Sequence, residues 1–129
     1  MTTLLCLKKI DCVMFYVEDL VKSTKFYEEV LGLKIGWKDK EEEMVGFLLP
    51  ENDSELVLHR DSNLPNPTIS FQVENVEEFC TYYKEAGYKV VLEPIVVRCG
   101  KYAELQDPDG NRIPIIDLTK FGGKPRYEK

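Results

Sequence analysis

With 129 residues, 23 acidic and 17 basic, the chain has the length of one domain and a net charge of −6. That balance argues against a phosphate-backbone partner, because non-specific nucleic-acid affinity comes mainly from Lys and Arg. An apolar content of 43% excludes a disordered tail, and no apolar run approaches the roughly 20 residues of a membrane-spanning helix.

The N-terminal MTTLLCLKKIDC places its apolar patch before its lysines. A secretory signal has the opposite order, so no leader is expected. Cys6, Cys12, Cys80 and Cys99 show no C-x-x-C spacing and are expected as reduced thiols of a cytoplasmic protein. Cys6 is assigned to strand core and Cys80 to helix core.

CVMFYV (12–17) reads as the first strand. A helix follows, with Asp19 as N-cap and Phe26/Val30 and Tyr27/Leu31 as apolar stripes at i, i+4 spacing. Gly32 sits where a left-handed residue closes it. LKIGWK (33–38), MVGFLL (44–49) and ELVLHR (55–60) read as strands, with KDKEEE (38–43) as a solvated hairpin tip. DSNLPNP (61–67) is rich in turn formers and reads as a linker.

TISFQV (68–73) opens a second series. Asn75 is an N-cap, and Glu78 completes a capping-box variant. Val76, Phe79, Tyr83 and Ala86 fall at helical spacing, and Gly87 closes the helix. YKVVLE (88–93), KYAELQ (101–106) and RIPIID (112–117) are strands, the last two joined by the turn DPDGN. FGGKPRYEK reads as a frayed tail.

The two series are copies. VEDLVKSTKFYEEVLGLKI (17–35) answers to VENVEEFCTYYKEAGYKV (73–90), with one residue lost near the helix end. Each half is βαβββ. A single such unit leaves one sheet face uncovered. Two side by side form a curved mixed sheet around a cleft, with helices outside. The expected class is therefore α+β, one domain of two modules (about 8–60 and 68–118), the linker 61–67 and the tail 119–129.

This order, together with the D-L-x-x-S-x-x-F-Y-x-x-V-L-G-L pattern and the late DPDGNRI, resembles the vicinal oxygen chelate superfamily. That is the fold of glyoxalase I, bleomycin-resistance proteins and extradiol dioxygenases. The resemblance spans about residues 8–118 and implies a homodimer with small-molecule clefts. It also implies four metal-ligand positions, held here by Cys12, Val57, Thr68 and Pro114. A catalytic divalent ion needs several imidazole or carboxylate ligands. Val57 and Pro114 have no donor atom, Thr68 is a poor neutral ligand and Cys12 cannot hold an ion alone. Hence no metal, cofactor or catalytic residue is assigned.

Strand alternation extends each position to its neighbours on the same face. Cys12 brings Met14 and Tyr16; Val57 brings Glu55 and His59; Thr68 brings Ser70 and Gln72; Pro114 brings Ile116. The seventh strand brings Tyr102, Glu104 and Gln106, and Trp37 stands near the opening. The expected ligand contacts are Met14, Tyr16, Trp37, Val57, His59, Thr68, Ser70, Tyr102 and Glu104. A buried Glu104 must meet a cation, water or ligand. In fosfomycin-resistance members this position supplies a substrate-contacting tyrosine. Arg98 and Lys101 flank a loop that often covers the cleft in the family.

These residues point first to a metal-free protein that sequesters a small organic ligand, with the acidic balance compatible with a basic or polar aromatic one. The alternative is a glyoxalase-like lyase or isomerase, or a dioxygenase-like enzyme, working without the usual ligands through His59, Glu104 or Cys12. A third reading is a non-catalytic partner module. Neither nucleic acid nor membrane is expected as a partner.

Overall fold

The computed structural model of the chain describes residues 6–121. In chain order they form β1 (Lys9–Tyr16), α1 (Leu20–Glu29), β2 (Lys34–Asp39), β3 (Met44–Leu48) and β4 (Glu55–His59), then β5 (Thr68–Gln72), α2 (Val76–Glu85), β6 (Val90–Val96), β7 (Lys101–Gln106) and β8 (Arg112–Ile116), ending in a 3₁₀ turn, Thr119–Phe121. The βαβββ unit thus occurs twice, and the class is α+β. Two compact units are present. One runs from Asp11 to Ile69; the other joins the segment up to Ile10 with Ser70 onward.

In the Asp11–Ile69 unit the strand order is β2-β3-β4-β1, with β4 parallel to β1 and the other pairs antiparallel. Alternate residues supply its core. Val45, Phe47 and Leu58 are buried, packed by Phe15, Leu20, Tyr27, Ile35 and Leu56. Each such buried side chain contributes about 1.5–3 kcal/mol. Asp19 caps α1 as expected, accepting from the Lys22 N–H at 3.0 Å.

Of the four residues expected on the apolar stripes of α1, Tyr27 alone meets the sheet. Leu20 meets it too, and Thr24 is buried. Phe26, Val30 and Leu31 are exposed. The helix ends at Glu29, and a ten-residue helix lying on one sheet turns only a narrow arc inward.

In the other unit the order is β5-β8-β7-β6, with β5 parallel to β8. Val73, Val76, Phe79, Cys80, Ala103, Leu105 and Ile115 form its core. Asn75 caps α2, accepting from the Glu78 N–H at 3.0 Å. Ala86, expected on the buried stripe, is the exposed C-cap. Gly32, Gly87 and Gly110 take the left-handed φ values their turns require, 73°, 95° and 90°. β6 continues to Val96, three residues beyond its expected end. The foreseen tail begins as the Thr119–Phe121 turn; the rest of it lies outside the described residues.

Cys6 is exposed and outside any strand, contrary to the expected core position. Lys8, two residues on, is the first to pair, its N–H donating to the Gln72 carbonyl at 2.8 Å. Cys12, Cys80 and Cys99 are buried. Burial, followed by the Glu93 charge, pushes the Cys80 thiol up to about 11. Thiolate is the reactive species. Brief alkylation of the native protein at neutral pH, read by peptide mass spectrometry, is therefore expected to label Cys6 and spare the other three until denaturant is added.

Candidate functional site

In the Asp11–Ile69 unit, the β1–β4 register sets Cys12 opposite Glu55, Met14 opposite Val57 and Tyr16 opposite His59. Alternation places all six on the face away from the helix-packed core. Gly46 lies opposite Val57, and Trp37 opposite Gly46. The Trp37 indole lies directly across Gly46, where a Cβ would stand 2.2 Å from the ring. Its Nε1–H donates to Glu55 Oε2 at 3.0 Å, and Glu55 is buried.

His59 ends β4 and is 2% exposed. The Asp61 N–H donates to its Nδ1 at 3.0 Å, so Nδ1 is a lone pair and the neutral imidazole carries its proton on Nε2. Among the described residues, Nε2 is the one buried side-chain nitrogen or oxygen with no hydrogen-bond partner. Such an orphan costs about 1–3 kcal/mol. Tyr16 packs edge-on to the imidazole, ring centroids 6.1 Å apart. Arg60 also holds Tyr16. Its guanidinium lies 5.6 Å from the ring centroid and donates to Tyr16 Oη at 3.2 Å and to the Val17 carbonyl at 2.7 Å.

Burial pushes the His59 pKa below its ordinary 6.5, with the Asp61 charge opposing. The unfolded chain then takes up a proton more readily than the folded one. The stability that His59 contributes is complete above about pH 6.5 and lost as pH falls through the folded pKa. Urea unfolding between about pH 7.5 and 5.5 is expected to show a steeper fall for the native protein than for His59→Gln.

In the other unit, β7 and β8 set Tyr102 opposite Ile116, Glu104 opposite Pro114 and Gln106 opposite Arg112. Gln72 of β5 also lies opposite Ile116, and Ser70 shares its side. Glu104 is buried, as its face implied. Tyr102 Oη donates to its Oε2 at 2.8 Å, and Arg112 pairs with its Oε1. Sequence reasoning demanded a partner for Glu104 and overlooked Arg112. The signal was available, since a residue diagonal across a hairpin is within reach of a long side chain. Thr68 Oγ1 donates to the Pro65 carbonyl. Lys101, expected beside a covering loop, starts β7 and pairs with Glu77 at 3.2 Å; Arg98 is exposed.

The family-like metal positions therefore present a thiol and an isopropyl group in one unit, where Cys12 and Val57 share a face. The hydroxyl of Thr68 is bonded to backbone, and Pro114 has no donor. Among the described residues, no three of His, Cys, Asp and Glu come together so as to hold a metal ion. Two shallow depressions, of about 310 and 580 Å³, run along α1 on the helix side of the first unit. Tyr16 borders the larger; neither includes His59. No helix among the described residues is long and apolar enough to cross a membrane.

Two consecutive βαβββ units, each a four-stranded mixed sheet with one helix, define a protein of the glyoxalase type. The chain belongs to the Glyoxalase/Bleomycin resistance protein/Dioxygenase superfamily, whose model matches residues 9–115. It is 29% identical over 118 residues to the uncharacterized protein YraH of Bacillus subtilis, covering 79% of this chain and 92% of that one. Methylmalonyl-CoA epimerase from Mycobacterium tuberculosis superposes with a TM-score of 0.69 at 16% identity, covering 96% of this chain and 97% of that one. A superfamily member from Vibrio splendidus 12B01 superposes at 0.59 with 20% identity, covering 87% and 98%. At such identities the structural likeness shows the fold alone.

Proposed function

We propose that the protein binds a small organic molecule without a metal ion, against the β1–β4 face that carries Met14, Tyr16, Trp37, Val57 and His59. Thr68 is proposed as a further contact, and Ser70, Tyr102 and Glu104 are proposed as contacts on the other unit's own face. The observation that carries this reading is the donor chemistry of the family-like ligand positions. Cys12 and Val57 share a face, and they offer one thiol and one hydrocarbon where a divalent ion would need imidazole and carboxylate. The same face carries the flat ring of Tyr16 and the flexible Met14, which suit an apolar, planar ligand.

An acid–base enzyme is the competing class. With Nδ1 accepting from Asp61 and the proton on Nε2, His59 presents a donor and not a base, which weighs against that reading. The protein is further proposed to act as a homodimer in the cytoplasm.

Native mass spectrometry with elemental analysis, on protein purified without an affinity tag, tests the reading. A small organic mass retained by the folded chain, with metal far below one equivalent, is the expected result. One equivalent of a transition metal, lost in Cys12→Ser or His59→Ala, would overturn it. Light scattering or sedimentation showing only monomer at micromolar concentration would end the dimer proposal.

A further inference from the structure

Resting on that reading, we infer that the ligand on the β1–β4 face carries a hydrogen-bond acceptor, a carbonyl, ring nitrogen or oxyanion on a planar body, which docks on the Nε2–H of His59.

The direction of this hydrogen bond is set by the backbone. The Asp61 N–H occupies Nδ1, so the ring can only donate through Nε2. Other polar groups of these faces are already bonded inside the protein: Trp37 to Glu55, Tyr16 to Arg60, Tyr102 and Arg112 to Glu104, Thr68 to Pro65. Among the described residues, Nε2 alone stands buried and unmatched. A chain that satisfies its neighbours and leaves this one donor keeps it for an acceptor from outside.

The surroundings set the rest of the ligand. Val57 and Met14 lie one step along the same strands and give an apolar floor. The Tyr16 ring stands edge-on beside the imidazole and offers a wall for a flat molecule. Nε2 is out of contact with solvent, so the acceptor reaches it by displacing part of what lies over the imidazole. Tyr16, partly buried, is the aromatic side chain packed against it.

Charge discriminates further. Arg60 is seated over Tyr16, and the Asp61 charge also acts on the imidazole. A protonated amine has no lone pair for Nε2–H and gains nothing from Arg60. The basic ligand that the acidic composition allowed is therefore disfavoured at this point, in favour of a molecule that offers Nε2–H a lone pair.

Two probes of one shape separate the donor from mere apolar fit: acetophenone, and α-methylstyrene, in which the carbonyl oxygen is replaced by a methylene. His59 is the sole histidine, so long-range ¹H–¹⁵N spectra of the full chain report one imidazole. Acetophenone is expected to shift the His59 Nε2 resonance and to bind about fivefold or more tightly than α-methylstyrene. In His59→Phe the two should bind alike; in His59→Gln, whose amide still donates, a preference should persist and serves if the Phe variant does not fold.

Equal binding of both probes to the native protein would overturn the inference and leave small-molecule binding standing. So would a ring proton on Nδ1, or an Nε2 resonance that stays fixed on saturation, the sign of a trapped water only. Binding of neither probe at millimolar concentration would also overturn it. An organic mass retained in native mass spectrometry would then keep the broader reading alive, and its absence would remove both.

Discussion

Asp117→Ala is expected to lower the unfolding free energy by about 3–5 kcal/mol and the melting temperature by roughly 10–20 °C. Asp117 is fully buried, and its carboxylate closes a junction of three chain segments. Oδ2 accepts from the Val76 N–H at 2.7 Å. Oδ1 accepts from the Lys101 N–H at 2.9 Å, the Thr119 N–H at 3.2 Å and Thr119 Oγ1 at 2.8 Å. Val76 is the first residue of α2, where backbone N–H groups have no partner within the helix and a negative charge is favoured. Alanine strands the buried Val76 donor and the partly buried Lys101 donor together. Asp117→Asn, which keeps one oxygen acceptor, should cost about half as much. Urea denaturation followed by circular dichroism gives the energies, and faster hydrogen exchange at Val76 locates the damage. A loss below about 1 kcal/mol would show that the junction is held elsewhere.

Gly100 supplies an independent approach to the same socket. A Cβ there would lie 2.1 Å from Asp117 Oδ1, 2.6 Å from the Asp117 carbonyl oxygen and 2.9 Å from the Thr119 nitrogen. Two of those atoms are backbone and cannot swing aside. Gly100→Ala should therefore expel the carboxylate, and combined with Asp117→Ala it should cost clearly less than the two separate losses added.

What could be read from the sequence follows the range of the interactions. Helix caps at Asp19 and Asn75 and the left-handed glycines depend on a few neighbouring residues, and the structure has them where expected. The shared face of Met14, Tyr16, Val57 and His59 was legible because alternation fixes a face once one position on each strand is known. The tautomer of His59 was not, because it depends on how the chain turns after β4 to aim the Asp61 N–H at Nδ1. Asp117 read merely as the end of a strand; its role requires residues 76, 101 and 119 to converge, which no local pattern announces. Glu104 lies between these cases. Its need for a partner was plain from its face, whereas the Arg112 pairing required the hairpin register in atomic detail. The outer stripe of α1 failed for a related reason. Spacing tells which residues align on a helix, and only the packing tells which arc faces the sheet.

Gly46→Ala, one methyl group on a central strand, is expected to cost about 2–4 kcal/mol and to move the fluorescence of the protein to longer wavelength. The new Cβ would stand 2.2 Å from Trp37 Cε2 and Nε1 and 2.7 Å from Cζ2. An indole is rigid, so the whole ring must slide off the strand. In moving it withdraws the Nε1–H from Glu55 Oε2, and a buried carboxylate loses a donor. Trp37 is the single tryptophan, so its emission reports the displacement without interference. Trp37→Phe isolates the second contribution: it deletes the donor to Glu55 without a clash and should cost about 1–3 kcal/mol. In the Trp37→Phe background Gly46→Ala should lose most of its effect, because the ring it would strike is smaller. Unchanged emission and stability in Gly46→Ala would mean that the indole does not lie across Gly46. The consequence for binding follows from the register. Gly46 stands opposite both Trp37 and Val57, so an indole driven off the strand reshapes the face on which Met14, Val57 and His59 are set. Gly46→Ala should accordingly weaken acetophenone and α-methylstyrene alike, whereas the loss of His59 removes only the difference between them.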